Sequence, residues 1–201
     1  MGKNEELRKE GADLQKGLRG ELSKLVTQNA LRDYESKRNE TKNRVIWVRR
    51  DEKATHDFEF LGSIAGGIIS SLPNSTASDS QTTLEAGNEK EEERPVITVA
   101  TSSLPGKDQT HLILVQSNDQ DGAKQTNEQI KFALDSLAGG EGEGHQKRVK
   151  GGGARGRYMS KVDGKWGKTE DAKMAEVIQS VRYFSSIHFI STQYIMCVDT
   201  A

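Results

Sequence analysis

The feature that most constrains the fold is the order of short apolar segments between residues 44 and 182. Runs rich in β-branched and aromatic residues predict strands, and apolar residues at helical spacing predict helices. The predicted strands are RVIWVRR (44–50), VITVATSS (96–103), HLILVQSN (111–118) and the start of RYMSKVDGKW (157–166), and the predicted helices are 57–72, 123–138 and 169–182. A turn at LPGKDQ joins the second strand to the third. This order predicts an α+β fold in which helices flank a small mixed sheet.

Two of these helices carry further expectations. In the helix over 57–72, glycines at 62, 66 and 67 would let the helix lie close to the sheet. In the helix over 169–182, Thr169 is the expected N-cap. The buried positions expected in that last helix are Ala172, Ala175, Val177, Ile178 and Val181.

The segment 1–43 is charged and predicts a coiled-coil-like helix or a helical hairpin. Leucines recur at steps of seven and four, as Leu7, Leu14, Leu18 and Leu25, which makes one apolar seam on a charged helix. A single helix cannot bury such a seam alone. We therefore expect a partner helix, from a larger parent protein or from a second copy of this chain.

Two other segments are not expected to belong to the core. Residues 73–95 hold six acids, two bases and almost no large apolar side chain, which predicts a disordered acidic insertion in the domain spanning 44–182. The tail 183–201 is aromatic and β-prone. It predicts either an added strand or an aberrant C-terminus without native structure.

The glycine-rich basic segment that ends the domain is the strongest candidate for a binding site. Residues 139–157 hold eight glycines, and 145–182 hold ten bases against four acids. Glycines let backbone N–H groups approach an anion, and lysines and arginines contact phosphates. We expect a flexible loop in which Tyr158 and Trp166 stack on exposed bases, with Trp166 more exposed than Trp47. An ordinary charged surface loop has a similar composition.

The order of elements over 111–182 resembles the DHH-associated domain at the C-terminus of alanyl-tRNA synthetases and alanyl-tRNA editing proteins. In the editing proteins the loop reads approximately Gly-Arg-Phe-Gln-Gly-Lys-Ala, to which Gly156–Val162 is similar. The match keeps the glycine, the arginine, the aromatic residue and the lysine, and departs at Met159 and Ser160. A charged helical hairpin precedes the domain in that family, as residues 3–43 do here.

The resemblance implies binding of tRNA and, as in the synthetases, dimerisation through the helical segment. It assigns RNA contacts to Arg155, Gly156, Arg157 and Lys161, with Gly151, Gly152 and Gly153 as loop backbone. Composition adds Lys147, Arg148 and Lys150 to these contacts, together with Tyr158 and Trp166.

Catalytic and metal sites are not expected. The family's zinc editing domain uses closely spaced His and Cys ligands, whereas His56, His111, His145, His188 and Cys197 are scattered. No Gly-Lys-Ser/Thr closes the glycine segment, so no nucleotide cofactor is expected either. The single cysteine and the lack of a long apolar run predict a cytoplasmic protein without a membrane contact.

We therefore interpret the chain as a tRNA-binding or RNA-binding module with no cofactor, no metal and no catalytic residue. Its N-terminal helix is the expected contact for a second copy of the chain or for a catalytic partner. One alternative is a fragment of an alanyl-tRNA deacylase or synthetase whose activity resides elsewhere. Another is an oligomerisation scaffold built on residues 1–43.

Overall fold

The computed structural model describes residues 2–41, 44–72, 95–104, 110–137, 148–164 and 166–187. These residues form an α+β fold, as the apolar segments predict. The helices are α1 (Gly2–Thr41), α2 (Phe58–Ser71), α3 (Gln120–Ser136) and α4 (Lys168–Ile187). The strands are β1 (Val45–Arg50), β2 (Ile97–Ser102), β3 (Thr110–Ser117), β4 (Val149–Ala154) and β5 (Arg157–Asp163). No helix in the described ranges is both long enough and apolar enough to cross a membrane.

The five strands form one mixed sheet in the order β1-β2-β3-β5-β4. β1 and β2 are parallel, with Val45 beside Ile97, and every other neighbouring pair is antiparallel. The parallel pair requires a crossover, and α2 lies in it. The chain then returns through β3 and α3, so the β4–β5 hairpin is added at the far edge of the sheet.

Helices cover both faces of the sheet. On one face, α3 and α4 bury Ile113 and Val115 of β3 beneath Leu134 and Met174. On the other face, α2 packs on β2 and β3 through Leu61 and Ala65. Ile64 and Ile68 of α2 belong to a second apolar cluster, which includes Ile46 and Val48 of β1. In α4, Val177 and Ile178 are buried as expected, whereas Ala172 is exposed and Ala175 and Val181 are half-buried. Met174, which the sequence did not single out, is fully buried.

Asp57 caps the start of α2, because its carboxylate accepts a hydrogen bond from the backbone N–H of Phe60 (2.7 Å) and also pairs with Arg19 of α1. The glycines of α2 that were expected to face the sheet do not share one neighbour. A Cβ at position 67 would meet Thr27 of α1, with the methyl carbon at 3.2 Å. The glycine at position 67 therefore brings α2 close to α1 rather than to the sheet.

The N-terminal segment is one continuous helix in the described residues, not a hairpin. Its C-terminal half packs on α2 through an inner face that includes Leu22, Val26, Ala30 and Leu31. The seam leucines do not belong to this face. They stay exposed, and residues 4–18 are exposed throughout.

Several boundaries differ from the sequence expectations. α3 begins at Gln120 instead of 123, because the Asp119 carboxylate caps its first turn by accepting from the N–H of Gly122 (2.9 Å). Thr169 is not an N-cap, because α4 begins one residue earlier. α4 also continues to Ile187, so residues 183–187 of the tail are helical rather than an added strand. The acidic insertion over 73–94 and the tail over 188–201 lie outside the described residues.

Candidate nucleic-acid interface

The glycine-rich segment is a β-hairpin where the structure describes it, and the expectation of a flexible loop over 147–168 is wrong for residues 149–163, which form β4, the turn and β5. β4 and β5 pair directly, with Ala154 opposite Arg157, and two residues make the turn. Both turn residues have positive φ, 52° at Arg155 and 76° at Gly156, the combination required by the type I′ turn that joins two-residue hairpins. Residues 138–147, including Lys147, lie outside the described residues.

Two of the three consecutive glycines of β4 are required by close approach of β5. A Cβ at Gly151 or Gly153 would overlap a backbone carbonyl oxygen of β5, and the residue at 151 also has a φ of 139°. At Gly152 a Cβ would meet nothing within 4 Å. Gly151 and Gly153 therefore serve the hairpin, whereas Gly152 leaves an open space on its surface.

One side of the hairpin is not covered by any other described part of the chain, and we call this surface the open face. α2 lies on this side of the sheet but packs on β2 and β3. Because side chains alternate between the two faces of a strand, every second residue of β4 and β5 points to the side on which α2 lies. α2 does not reach these residues, and all of them are exposed. The open face consists of Lys150, Gly152, Ala154, Arg157, Met159, Lys161 and Asp163.

The open face carries an excess of positive charge. Lys161 lies directly opposite Lys150 in the strand register. Lys150 pairs with Asp163 (2.9 Å), and that aspartate is the only acid among residues 148–164. Three cations have no acidic partner in the described part of the chain. They are Arg155 at the turn and Arg157 and Lys161 on the open face.

Arg157 is held against the neighbouring helix. Its guanidinium lies over Gly62 of α2, and a Cβ at that position would overlap the terminal nitrogen. Because Gly62 has no side chain, the guanidinium of Arg157 can lie against α2, at the border of the open face. No local pattern indicates this contact, because the two residues are 95 positions apart in the chain.

Arg148 differs from the other cations because its interactions are internal to the fold. Arg148 donates to the carboxylate of Glu170 in α4 and to the backbone carbonyl oxygen of Asp163, at 2.8 Å each. The side chains of Arg148 and Glu170 are each only 13% exposed. Burial by itself raises the pKa of Glu170, but the hydrogen bonds from Arg148 and from backbone N–H groups outweigh burial and lower it. Arg148 therefore joins the start of β4 to α4.

The two aromatic residues expected to stack on bases do not lie on the open face. Tyr158 is half-buried on the opposite side of the hairpin, where it packs against the core shared with α3 and α4. Trp166 is half-buried rather than exposed, and its indole N–H donates to Asp171 of α4 (2.7 Å). The exposed apolar side chain on the open face is instead Met159, between Arg157 and Lys161. Period-two alternation would have found it once 157–163 was read as a strand throughout.

A buried histidine lies near Trp166, at the end of the sheet. The ring of His111 is 5.3 Å from the indole, and its Nε2 is 2.8 Å from the carbonyl oxygen of Gly164. Its Nδ1 is buried without a hydrogen-bond partner in the structure as described. Burial lowers the pKa of His111. The lowered pKa favours the neutral form of this ring, which packs against Trp166.

The described residues contain no group of three or more His, Cys, Asp or Glu side chains arranged to hold a metal ion. His145, His188 and Cys197 lie outside the described residues. Comparison of the chain with protein-family models, with curated proteins and with solved structures gives no match.

Proposed function

We propose that this protein binds RNA through the open face and the Arg155–Gly156 turn. The observation that carries the proposal is the set of three cations, Arg155, Arg157 and Lys161, which have no acidic partner among the described residues. Cations of this kind are available to phosphates, and release of counterions from the nucleic acid then drives binding.

The spacing of the cations favours a polyanion over a single small anion. Arg157 and Lys161 are four residues apart on one strand, which separates their backbone positions by about 13 Å at about 3.3 Å per residue. A single phosphate group cannot span that distance. A chain of phosphates can run along β5 and contact both residues.

The local charge arrangement also favours an anionic ligand. Lys150 and Lys161 are directly opposite each other, and like charges in that relation destabilise a strand pair. Asp163 pairs with Lys150 only, and a phosphate between the two lysines would neutralise the remaining positive charge. The open space over Gly152 lets a sugar-phosphate backbone approach the strand, and Met159 offers an apolar contact to ribose or base.

The choice of tRNA among RNAs rests on the resemblance of residues 156–162 to the glycine-rich loop of alanyl-tRNA editing proteins. A cytoplasmic location belongs to the same proposal and can be tested by fractionation. The proposal assigns no catalytic step to the described residues.

The test is a binding titration with the triple variant Arg155→Ala/Arg157→Ala/Lys161→Ala. We expect weaker binding of tRNA, and a slope of log affinity against log salt that is shallower by about 0.7 to 0.9 for each phosphate that the variant no longer neutralises. The matched control is Arg8→Ala/Lys9→Ala/Lys16→Ala, which removes the same charge from exposed positions of α1.

Three results would decide the matter. Equal affinity of the triple variant and the unmodified chain would refute the proposed interface. If the control variant loses as much affinity for tRNA as the triple variant, the assay responds to the net charge of the chain and not to the proposed interface. Binding of heparin as tight as that of tRNA, with loss in the triple variant, would keep the polyanion site but refute the preference for tRNA.

A further inference from the structure

Three polar side chains form a row across neighbouring strands, on the side of the sheet where α2 lies. In the strand register Thr98 of β2 is directly opposite Gln116 of β3, and Gln116 is directly opposite Arg157 of β5. Residues in this relation point to the same face of a sheet. Ala100 and Leu114, two positions away on β2 and β3, pack against α2 on that face. We call Thr98, Gln116 and Arg157 the polar row.

The hydrogen-bonding groups of the polar row are not used within the described part of the fold. Thr98 is 0% exposed, and its hydroxyl oxygen has no hydrogen-bond partner there. The amide oxygen of Gln116 is also buried without a partner. Such atoms are uncommon in folded proteins, because a buried polar group without a hydrogen bond costs free energy. The row therefore presents two oxygens that can accept hydrogen bonds beside the guanidinium of Arg157, which can donate them.

The flank of α2 above the row is lined by glycine. Gly62 and Gly66 are one turn apart and lie on the same side of the helix. Gly62 faces the guanidinium of Arg157, whereas a Cβ at Gly66 would meet nothing within 4 Å. α2 leads from the end of β1 back to the start of β2, so Gly66 is nearer than Gly62 to Thr98. A flat ring can therefore enter between this flank and the polar row, from the border of the open face.

We infer that the polar row binds an unpaired guanine of the RNA, an inference that rests on the proposed function. Along one edge, guanine presents the acceptors N7 and O6 and then the donors N1–H and the amino group at C2. Arg157 donates to N7 and O6, Gln116 accepts from N1–H, and Thr98 accepts from the amino group. The order of donor and acceptors in the row is thus complementary to the order on the base.

The other three bases do not match this order. Adenine has an amino group where guanine has O6, so it would direct a donor at the guanidinium of Arg157. Cytosine and uracil have no N7. Proteins that read RNA sequence contact the edges of unpaired bases, and a guanidinium on O6 and N7 of guanine is the commonest specific contact to a base. Arg157 therefore contributes to selectivity as well as to phosphate binding.

The experiment measures affinity for a short RNA stem-loop with one unpaired guanine, using the full chain. The same RNA is prepared with adenine or inosine in place of that guanine. We expect the guanine RNA to bind about 5- to 150-fold more tightly than the adenine RNA. Inosine lacks only the amino group at C2, so its RNA should bind with intermediate affinity.

Two variants assign the contacts. Gln116→Leu should abolish the preference for guanine over adenine, with no change in the slope of log affinity against log salt, because no phosphate contact is lost. Thr98→Val should remove only the difference between guanine and inosine. Gln129→Leu is the matched control, because it removes another buried amide oxygen without a partner, on α3, and should keep the full preference.

The outcomes separate the base site from the proposed interface. Equal affinity for the guanine and adenine RNAs, or a preference that persists in Gln116→Leu, would overturn the inference. A lower Tm of Gln116→Leu would overturn it too, since the amide oxygen would then be hydrogen-bonded within the fold. Any of these results with weaker binding by Arg155→Ala/Arg157→Ala/Lys161→Ala leaves the proposed interface intact. No binding of any RNA by the unmodified chain would refute the proposed function itself.

Discussion

Adjacent glycines of β4 allow a sharp test of whether residues 151–154 form a strand or a loop. Gly152→Ala and Gly153→Ala make the same chemical change at neighbouring positions. A methyl group at position 152 would meet nothing within 4 Å. At position 153 it would overlap the carbonyl oxygen of Arg157 and lie 2.6 Å from the Cα of Tyr158, both backbone atoms of β5.

The expected magnitudes follow from these contacts. Gly152→Ala should stabilise the protein by about 0.4 to 1 kcal/mol, because alanine restricts the unfolded chain and fits the native position. Gly153→Ala must move β4 away from β5. Loss of two hydrogen bonds of the ladder, at about 1 kcal/mol each, together with residual strain, gives a destabilisation of about 2 to 3 kcal/mol. The two variants should therefore differ by about 3 kcal/mol.

Urea unfolding and thermal unfolding both measure this difference. In a chain of this size, about 1 kcal/mol corresponds to a shift in Tm of about 2 to 4 °C, so the two variants should differ in Tm by about 6 to 12 °C. Neither substitution changes a charge, so electrostatics cannot account for the result. A flexible loop would tolerate both substitutions equally. Equal stability of the two variants would therefore refute the register of the β4–β5 hairpin.

Two further predictions concern the end of the sheet. Since burial lowers the pKa of His111 below the ordinary value of 6.5, the unfolded chain takes up the proton first, and the free energy of unfolding should fall as pH drops below about 6.5. His111→Phe should flatten the dependence in urea titrations between about pH 7.5 and pH 5.5, and an unchanged dependence would contradict the assignment. Arg148→Ala leaves Glu170 buried without its ion pair and should lower the free energy of unfolding by about 1 to 3 kcal/mol. The folded fraction should still bind RNA normally, and loss of binding by fully folded protein would make Arg148 a contact residue.

The sequence predicts an element well where its residues follow a single pattern of apolar side chains. β1 and β3 are short β-branched runs bounded by polar residues, and α2 has apolar residues at helical spacing. Both signals act locally, through side-chain shape and the burial of one face. The boundary of α3 was missed because a capping carboxylate, Asp119, begins the helix ahead of its first apolar residue.

The hairpin could not be predicted because glycine is depleted in strands and enriched in loops. Three consecutive glycines at 151–153 therefore predicted a loop, although close approach of β5 requires glycine at two of these positions. The cations Arg155, Arg157 and Lys161 were identifiable by residue type. The sequence does not indicate which cations form ion pairs within the fold, because only the tertiary structure brings Arg148 to Glu170. The exposure expected for Trp166 is also wrong, because its indole N–H donates to Asp171 in the first turn of α4.

The position of β4 at the edge of the sheet also bears on solubility. An edge strand offers unpaired N–H and C=O groups on which another chain can add, and this is a common start of aggregation. Here glycine lowers the tendency of β4 to template a second strand, and the ammonium group of Lys131 donates to the carbonyl oxygen of Gly151 (2.6 Å). The glycines of β4 and Lys131 thus reduce the tendency of this edge to pair with a strand of a second copy of the chain.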